Sequence, residues 1–236
     1  MVVGASAACA ADYGESMRIV LATGNPHKVD EMREIFASAG LAAMGVEVLG
    51  LKDLPNPHRF HEPDEHGTTF EQNAAIKAVS YAEQTGEWCL ADDSGLEVDA
   101  LGGRPGVISS HYCTDGVDMG MTREQRDEAN NVRVLRELEG IPTEQRSARF
   151  VCVMSLTKTG APMQTSRGTF EGRIGTRPRV PAGANGFGYD PLFLVAPAFA
   201  RTSAEMSAGE KNAASHRANA ARIMAAKIAA LVKVRS

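Results

Sequence analysis

Trp88-Cys89-Leu90-Ala91-Asp92-Asp93-Ser94-Gly95 decides how this chain is read. The first four residues are apolar or small and predict a buried strand; two adjacent carboxylates follow where that strand is expected to end. Taking an ionised carboxylate out of water costs roughly several kcal/mol unless a cation or a hydrogen-bond donor compensates. Two readings are open at this point. Asp, Ser and Gly are turn formers, so the stretch suits a solvated turn between short strands over 88–91 and 96–101. Hard oxygen ligands also suit Mg²⁺, which makes the same pair a metal site.

Toward the N-terminus, residues 18–22 predict a strand, and Val29, Met32, Ile35 and Phe36 recur at helical spacing up to about Gly40. Between them lies Thr23-Gly24-Asn25-Pro26-His27-Lys28. Asn25 suits the N-cap and Pro26 the first helical position, so free amides and the positive end of the helix dipole face the loop. That is an anion site, and Lys28 adds a full charge for phosphate. The plainer reading is a capped helix with a surface lysine; the spacing is not that of a Walker A loop. Residues 46–51 predict a second strand, followed by a polar loop in which Glu62, Asp64 and Glu65 offer carboxylates. Thr68 and Glu71 are spaced as a capping box that opens an Ala-rich helix to about Gln84.

Toward the C-terminus, Thr122 and Gln125 form a second capping box before a helix striped by Val132, Leu135 and Leu138. Residues 148–156 and 165–174 predict paired strands with a turn near Gly160. The glycines of 183–188 run in the order G-x-x-G-x-G and precede a strand over 192–195, so a dinucleotide fingerprint is rejected. Phe187 offers a stacking face or is a core residue of a tight turn. One long helix is predicted from about Glu210 to Val234. In its first turns Lys211 and Ser215 share a face, with His216 and Arg217 beside them as a solvated charge run or as a grip on phosphate or a base edge. Helices alternate with strands throughout, which predicts a mixed α/β fold.

The chain has 236 residues and a net charge of −4. No linker, repeat or low-complexity tract divides it, so residues 17–236 are expected to form one two-lobed domain, preceded by a disordered extension over 1–16 that lacks the features of a secretory signal. Cys9, Cys89, Cys113 and Cys152 have no metal-ligand spacing, which suits reduced thiols in the cytoplasm. The acidic balance disfavours broad nucleic-acid binding, and no apolar run predicts a membrane span.

Six segments in order resemble the inosine triphosphate pyrophosphatase family: LATGNPHK (21–28), GTTFEQNAAIKA (67–78), ADDSGLEVDALGGRPGV (91–107), ARFVCV (148–153), NGFGYDPLF (185–193) and AEMSAGEKNAASHR (204–217). The resemblance implies an elongated mixed central sheet with flanking helices, two lobes around a nucleotide cleft, a homodimer and a Mg²⁺ cofactor. It implies hydrolysis of ITP, dITP and XTP to the monophosphate and pyrophosphate. Thr23, Gly24, Asn25, Pro26, His27 and Lys28 would hold the triphosphate, with Ser94 and Lys211 assisting. Asp93 would be the catalytic carboxylate and a metal ligand, leaving Asp92 a structural neighbour. Asp64 would take a second metal-associated position, with Glu65 as the alternative because the family more often carries Glu-Glu-Thr-Gly where this chain has Asp64-Glu65-His66-Gly67. Phe187, Gly188, Tyr189, Asp190, His216 and Arg217 would receive the nucleoside. Donors aimed at O6 of hypoxanthine or xanthine would face the amino group of adenine and go unpaired, at a cost of about 1–3 kcal/mol each. The rival readings are a nucleotide binder without hydrolysis and a pyrophosphatase for other substrates such as dTTP or UTP.

Overall fold

Strands buried in continuous runs, and so covered on both faces, place one sheet through the middle of the molecule. In a computed structural model, which describes residues 16–235, six strands run β1 (Met17–Leu21), β2 (Val46–Gly50), β3 (Trp88–Val98), β4 (Ser147–Thr157), β5 (Gln164–Ile174) and β6 (Phe193–Val195). Their spatial order is β2-β1-β3-β4-β5-β6. β1 is parallel to both β2 and β3, and every later pairing is antiparallel. Five α-helices flank this mixed sheet: α1 (Pro26–Ser38), α2 (Phe70–Thr85), α3 (Arg123–Glu137), α4 (Ala208–Ala214) and α5 (His216–Arg235). The expected extension over 1–16 lies, but for Ser16, outside the described residues.

β3 corrects the first expectation. Asp92-Asp93-Ser94-Gly95 is no turn but the middle of an unbroken strand, paired residue by residue with Met154, Val153, Cys152 and Val151 of β4. Those buried apolar partners override the poor strand propensity of Asp, Ser and Gly. Gly95 is required here for close approach: a Cβ would stand 2.4 Å from Ser109 Oγ and 2.6 Å from the Gly106 carbonyl.

The alternation of a strand then separates the two carboxylates. One face of β3 carries Trp88, Leu90, Asp92, Ser94, Leu96 and Val98. Trp88 and Leu90 belong to an apolar cluster with β1, α1 and α5, whereas Leu96 and Val98 belong to a second cluster with Tyr112, Val134, Phe150 and Phe193. Asp92 and Ser94 fall at the junction of the two. The opposite face carries Cys89, Ala91 and Asp93 and is covered by α2, whose buried stripe is Phe70, Asn73, Ala74, Lys77, Ala78, Tyr81 and Ala82. Seven positions at helical spacing are buried, and two of them are polar.

Two helix ends differ from expectation. Thr69, not Thr68, caps α2, its hydroxyl accepting from Gln72 N–H at 3.2 Å, while Gln72 Oε1 accepts from Thr68 N–H at 2.7 Å. The long C-terminal helix is broken at Ser215, which is extended (φ −62°, ψ 154°) and whose hydroxyl accepts from Ala218 N–H at 3.1 Å. That cap starts a new helix, so Lys211 lies on α4 while His216 and Arg217 open α5.

Candidate active site

β1 stops at Leu21, but β3 continues for eight residues past Leu90, so an edge of β3 lies open beyond the end of β1. On that side Leu90 O accepts from Ala22 N–H at 2.8 Å and Leu96 N–H donates to Ser109 Oγ at 2.8 Å. Strand alternation therefore turns the backbone N–H groups of Asp92 and Ser94 toward the same gap. Thr23 to Lys28 enter it from the end of β1, with α1 beginning at Pro26 as the loop composition predicts. Thr23, Lys28, Asp92 and Arg217 line a cavity of about 20 Å³ there, floored by Leu21, Met32, Leu90 and Met154.

Asp92 is the hub on this face. Lys28 Nζ lies 3.0 Å from both carboxylate oxygens, Ser94 Oγ donates to Oδ2 at 3.3 Å, and Arg217 Nε stands 3.6 Å from Oδ2. Arg217 also reaches Glu31 at 3.6 Å. Burial pushes the Asp92 carboxyl up, but Lys28 and Arg217 outweigh it and hold it well below the usual carboxylate range. His216 stacks on Phe150 with ring centroids 5.4 Å apart. Burial, then the Arg217 charge, pull its pKa down to about 3, so the imidazole is neutral at physiological pH. His216 Nδ1 and Arg217 Nε are both buried without a hydrogen-bond partner.

Asp93 faces the other way, into α2. Lys77 Nζ lies 3.4 Å from Asp93 Oδ1 and 2.9 Å from Glu65 Oε2. Asn73 Oδ1 accepts from Gly67 N–H at 2.8 Å, which ties the Glu65 loop to α2. Asp93 Oδ2 is buried with no hydrogen-bond partner. Burial pushes the Asp93 carboxyl up; Lys77 opposes this and Glu65 adds to it, leaving its pKa above the ordinary value. Burial pulls the Lys77 ammonium down, but Asp93 and Glu65 more than offset it, so Lys77 stays charged.

The glycine-rich loop forms a second polar cluster. Asp190 is 96% removed from solvent at its side chain (4% exposed), pairs with Lys211 and accepts from Phe187 N–H at 2.9 Å. Phe187 is 59% exposed, with Arg123 over its ring at 4.3 Å.

The sequence model of the Ham1 family matches residues 19–227. The chain belongs to the Ham1 family. A dITP/XTP pyrophosphatase of Exiguobacterium sp. is 45% identical to this Ham1-family chain over 217 residues, covering 92% of it and 100% of the relative. One from Nitratidesulfovibrio vulgaris is 47% identical over 204 residues, 86% and 92% of the two chains. The Staphylococcus aureus Ham1 protein superposes with a TM-score of 0.75 at 34% identity, covering 91% of this chain and 99% of its own. The matched region spans the six segments that carried the resemblance, and the relatives bear the activity that the resemblance implies.

The fold gathers most of the residues singled out from the Ham1-like sequence. Thr23, Lys28, Ser94 and Arg217 surround Asp92; Gly24, Asn25 and Pro26 lead into α1, and the side chain of His27 lies outside the described residues. Phe187, Gly188, Asp190 and Lys211 form a separate cluster. Tyr189 departs from expectation: it is buried and donates its hydroxyl to Ser109 O at 2.7 Å, so it builds the loop from within the core. The carboxylate beside Lys77 and Asp93 is Glu65; Asp64 is exposed and contacts His66 through its backbone carbonyl. Glu71 turns away to Arg167, 2.8 Å distant. Sequence reading missed Asn73 and Lys77 as site residues, although two polar residues inside an otherwise apolar helical stripe are a legible signal that something polar faces them.

Proposed function

We propose that this chain hydrolyses deaminated purine nucleoside triphosphates, ITP, dITP and XTP, to the monophosphate and pyrophosphate. The observation that carries the reading is Asp93: a buried carboxylate whose Oδ2 has no partner and which shares the Lys77 ammonium with Glu65, on the strand whose edge the Thr23–Lys28 loop approaches with an anion site. A buried carboxylate oxygen left unpaired is costly and calls for a cation or a water to be supplied with substrate.

Asp93 and Glu65 fit a divalent ion, and we assign Mg²⁺ to them. Among the described residues no group of three or more His, Cys, Asp or Glu is placed to hold a metal alone. That suits Mg²⁺, which keeps waters and substrate phosphates and takes only one or two protein carboxylates. When bound it would neutralise charge on the phosphate oxygens. The chain's own residues do the rest. Amides at the start of α1, the open N–H groups of Asp92 and Ser94, and the Lys28 ammonium bind the triphosphate. Lys77 places a second positive charge near the transferring phosphorus, where charge shifts toward the leaving pyrophosphate. Asp93 orients the attacking water, and its contribution is placement of that water beside the phosphorus. His216, neutral, has a buried ring nitrogen without a hydrogen-bond partner to offer the base edge, with the Arg217 guanidinium, ion-paired to Asp92 and Glu31, beside it. We read the protein further as a cytoplasmic homodimer; Cys89, Cys113 and Cys152 are free thiols, and no described helix is long and apolar enough to cross a membrane.

Product analysis tests the bond that is cut. ITP with Mg²⁺ is expected to yield IMP and pyrophosphate in equal amounts. Formation of IDP and inorganic phosphate, or tight binding with no turnover, would overturn the reading.

A further inference from the structure

Arg123, Asp127 and Asn131 lie at i, i+4 and i+8 on α3 and so share one face, and that face is spent on the glycine-rich loop. Asp127 Oδ2 accepts from the Gly188 N–H at 2.9 Å, and Asn131 Nδ2 donates to the Gly188 carbonyl at 3.0 Å. Arg123 covers one face of the Phe187 ring at 4.3 Å and stands 3.9 Å from Asp127. From the opposite side Asp190 holds the Phe187 N–H at 2.9 Å. Gly188 has φ +61°, so the backbone at this point relies on glycine to turn and on these bonds to stay in one conformation. The Phe187 carbonyl between them accepts from Asp190 N–H at 3.3 Å, so the result is an aromatic ring that is largely exposed, on a backbone held at four successive polar groups.

Such a grip fixes the position and the Cα–Cβ direction from which the Phe187 ring projects, and Arg123 over one ring face limits the plane it presents. Stacking on a base depends on ring orientation, and a platform that must be ordered on binding loses affinity to that ordering. We propose that Asp127 and Asn131 are positioning residues for recognition of the purine base: by clamping the N–H and C=O of Gly188 to α3, they set the orientation in which Phe187 meets the nucleobase. The proposal rests on the reading that Phe187 to Asp190 receive the nucleoside. It adds that the specificity surface is built on α3, an element that contributes nothing to the triphosphate end.

The two ends of the substrate separate the possibilities. The probes are IMP, which carries the base, and pyrophosphate, which does not, each used as a competitive inhibitor of ITP hydrolysis. Asp127→Ala is expected to weaken IMP inhibition and raise KM for ITP by about three- to tenfold, the range for losing one hydrogen bond, while pyrophosphate inhibition and kcat change less than about twofold. Asp127→Asn keeps an oxygen acceptor for Gly188 N–H and is expected to restore IMP inhibition. Asn131→Asp sets an acceptor against the Gly188 carbonyl and is expected to repeat the Asp127→Ala result. Equal weakening of IMP and pyrophosphate by both Asp127→Ala and Asn131→Asp would mean a general structural role and overturn the proposal. No effect of either variant, with Phe187→Ala still weakening IMP, would overturn it and leave the nucleoside reading of the loop standing. No effect of Phe187→Ala as well would remove that reading too.

Discussion

Asp92 and Asp93 carry the same charge on consecutive residues, yet their surroundings drive their ionisation in opposite directions. Asp92, between Lys28 and Arg217, has a depressed pKa; Asp93, where burial outweighs Lys77, has a raised one. A depressed carboxylate pKa adds stability above the unfolded value of about 4, and that stability is lost as pH falls through the folded value in strong acid. A raised pKa does the reverse, taking stability away as pH rises through about 4 toward the folded value. At neutral pH, Asp92→Asn therefore leaves Lys28 and Arg217 facing each other across a half-buried site and is expected to cost about 3 kcal/mol. Asp93→Asn removes a poorly solvated charge and leaves Lys77 with Glu65, so its expected change is within about 1 kcal/mol, although turnover is largely lost. Urea unfolding of both variants at pH 7 checks this; an Asp92→Asn protein as stable as Asp93→Asn would contradict it. The sequence announces that two carboxylates are present. It conceals their opposite facing, because the same four residues read equally well as a turn until the pairing with β4 is known.

At the scale of elements, α5 is the part on which the site depends most. It lies so close to β5 that a Cβ at Gly168 would stand 2.2 Å from Ala220 N and 2.4 Å from His216 O. Gly168→Ala is expected to push the start of α5 off the sheet, at a cost of about 1–3 kcal/mol. Because that start carries His216 and Arg217, KM for ITP should rise together with a lowered Tm. Thermal melts and steady-state kinetics on the same preparation check it, and an unchanged KM would show that α5 does not position the base end. Element boundaries were unevenly legible. The capping box of Thr122 and Gln125 is as predicted, since both partners are local and exposed. The break at Ser215 was hidden inside an Ala-rich run with strong helical character, because it depends on the Ser215 cap and on the fit of α5 against Gly168. Lys77 was legible as a polar position inside the buried stripe of α2, but the Asp93 and Glu65 carboxylates that face it were not.

For the whole molecule, the sheet order places two apolar clusters along β3 and β4 and leaves the polar residues of β3 at their junction. The alternation of helix and strand makes this α/β architecture legible from the sequence, and the ordered segments of the resemblance lead to the Ham1 family. What sequence could not supply was which faces meet: that Glu65 and not Asp64 shares Lys77 with Asp93, that Tyr189 points inward, and that α3 reaches across to Gly188. Each of those depends on long-range packing between elements far apart in the chain. With a net charge of −4, substrate attraction has to come from local cations, Lys28 and Arg217 on one face of β3, Lys77 on the other and Lys211 beside the glycine-rich loop, and not from the field of the molecule. Selection then falls on the base. The most direct measurement is kcat/KM for pyrophosphate release from ITP and from ATP under identical Mg²⁺ and pH. Donors left unpaired against the adenine amino group set the expected preference for ITP at about a hundredfold or more; equal values for the two nucleotides would contradict it.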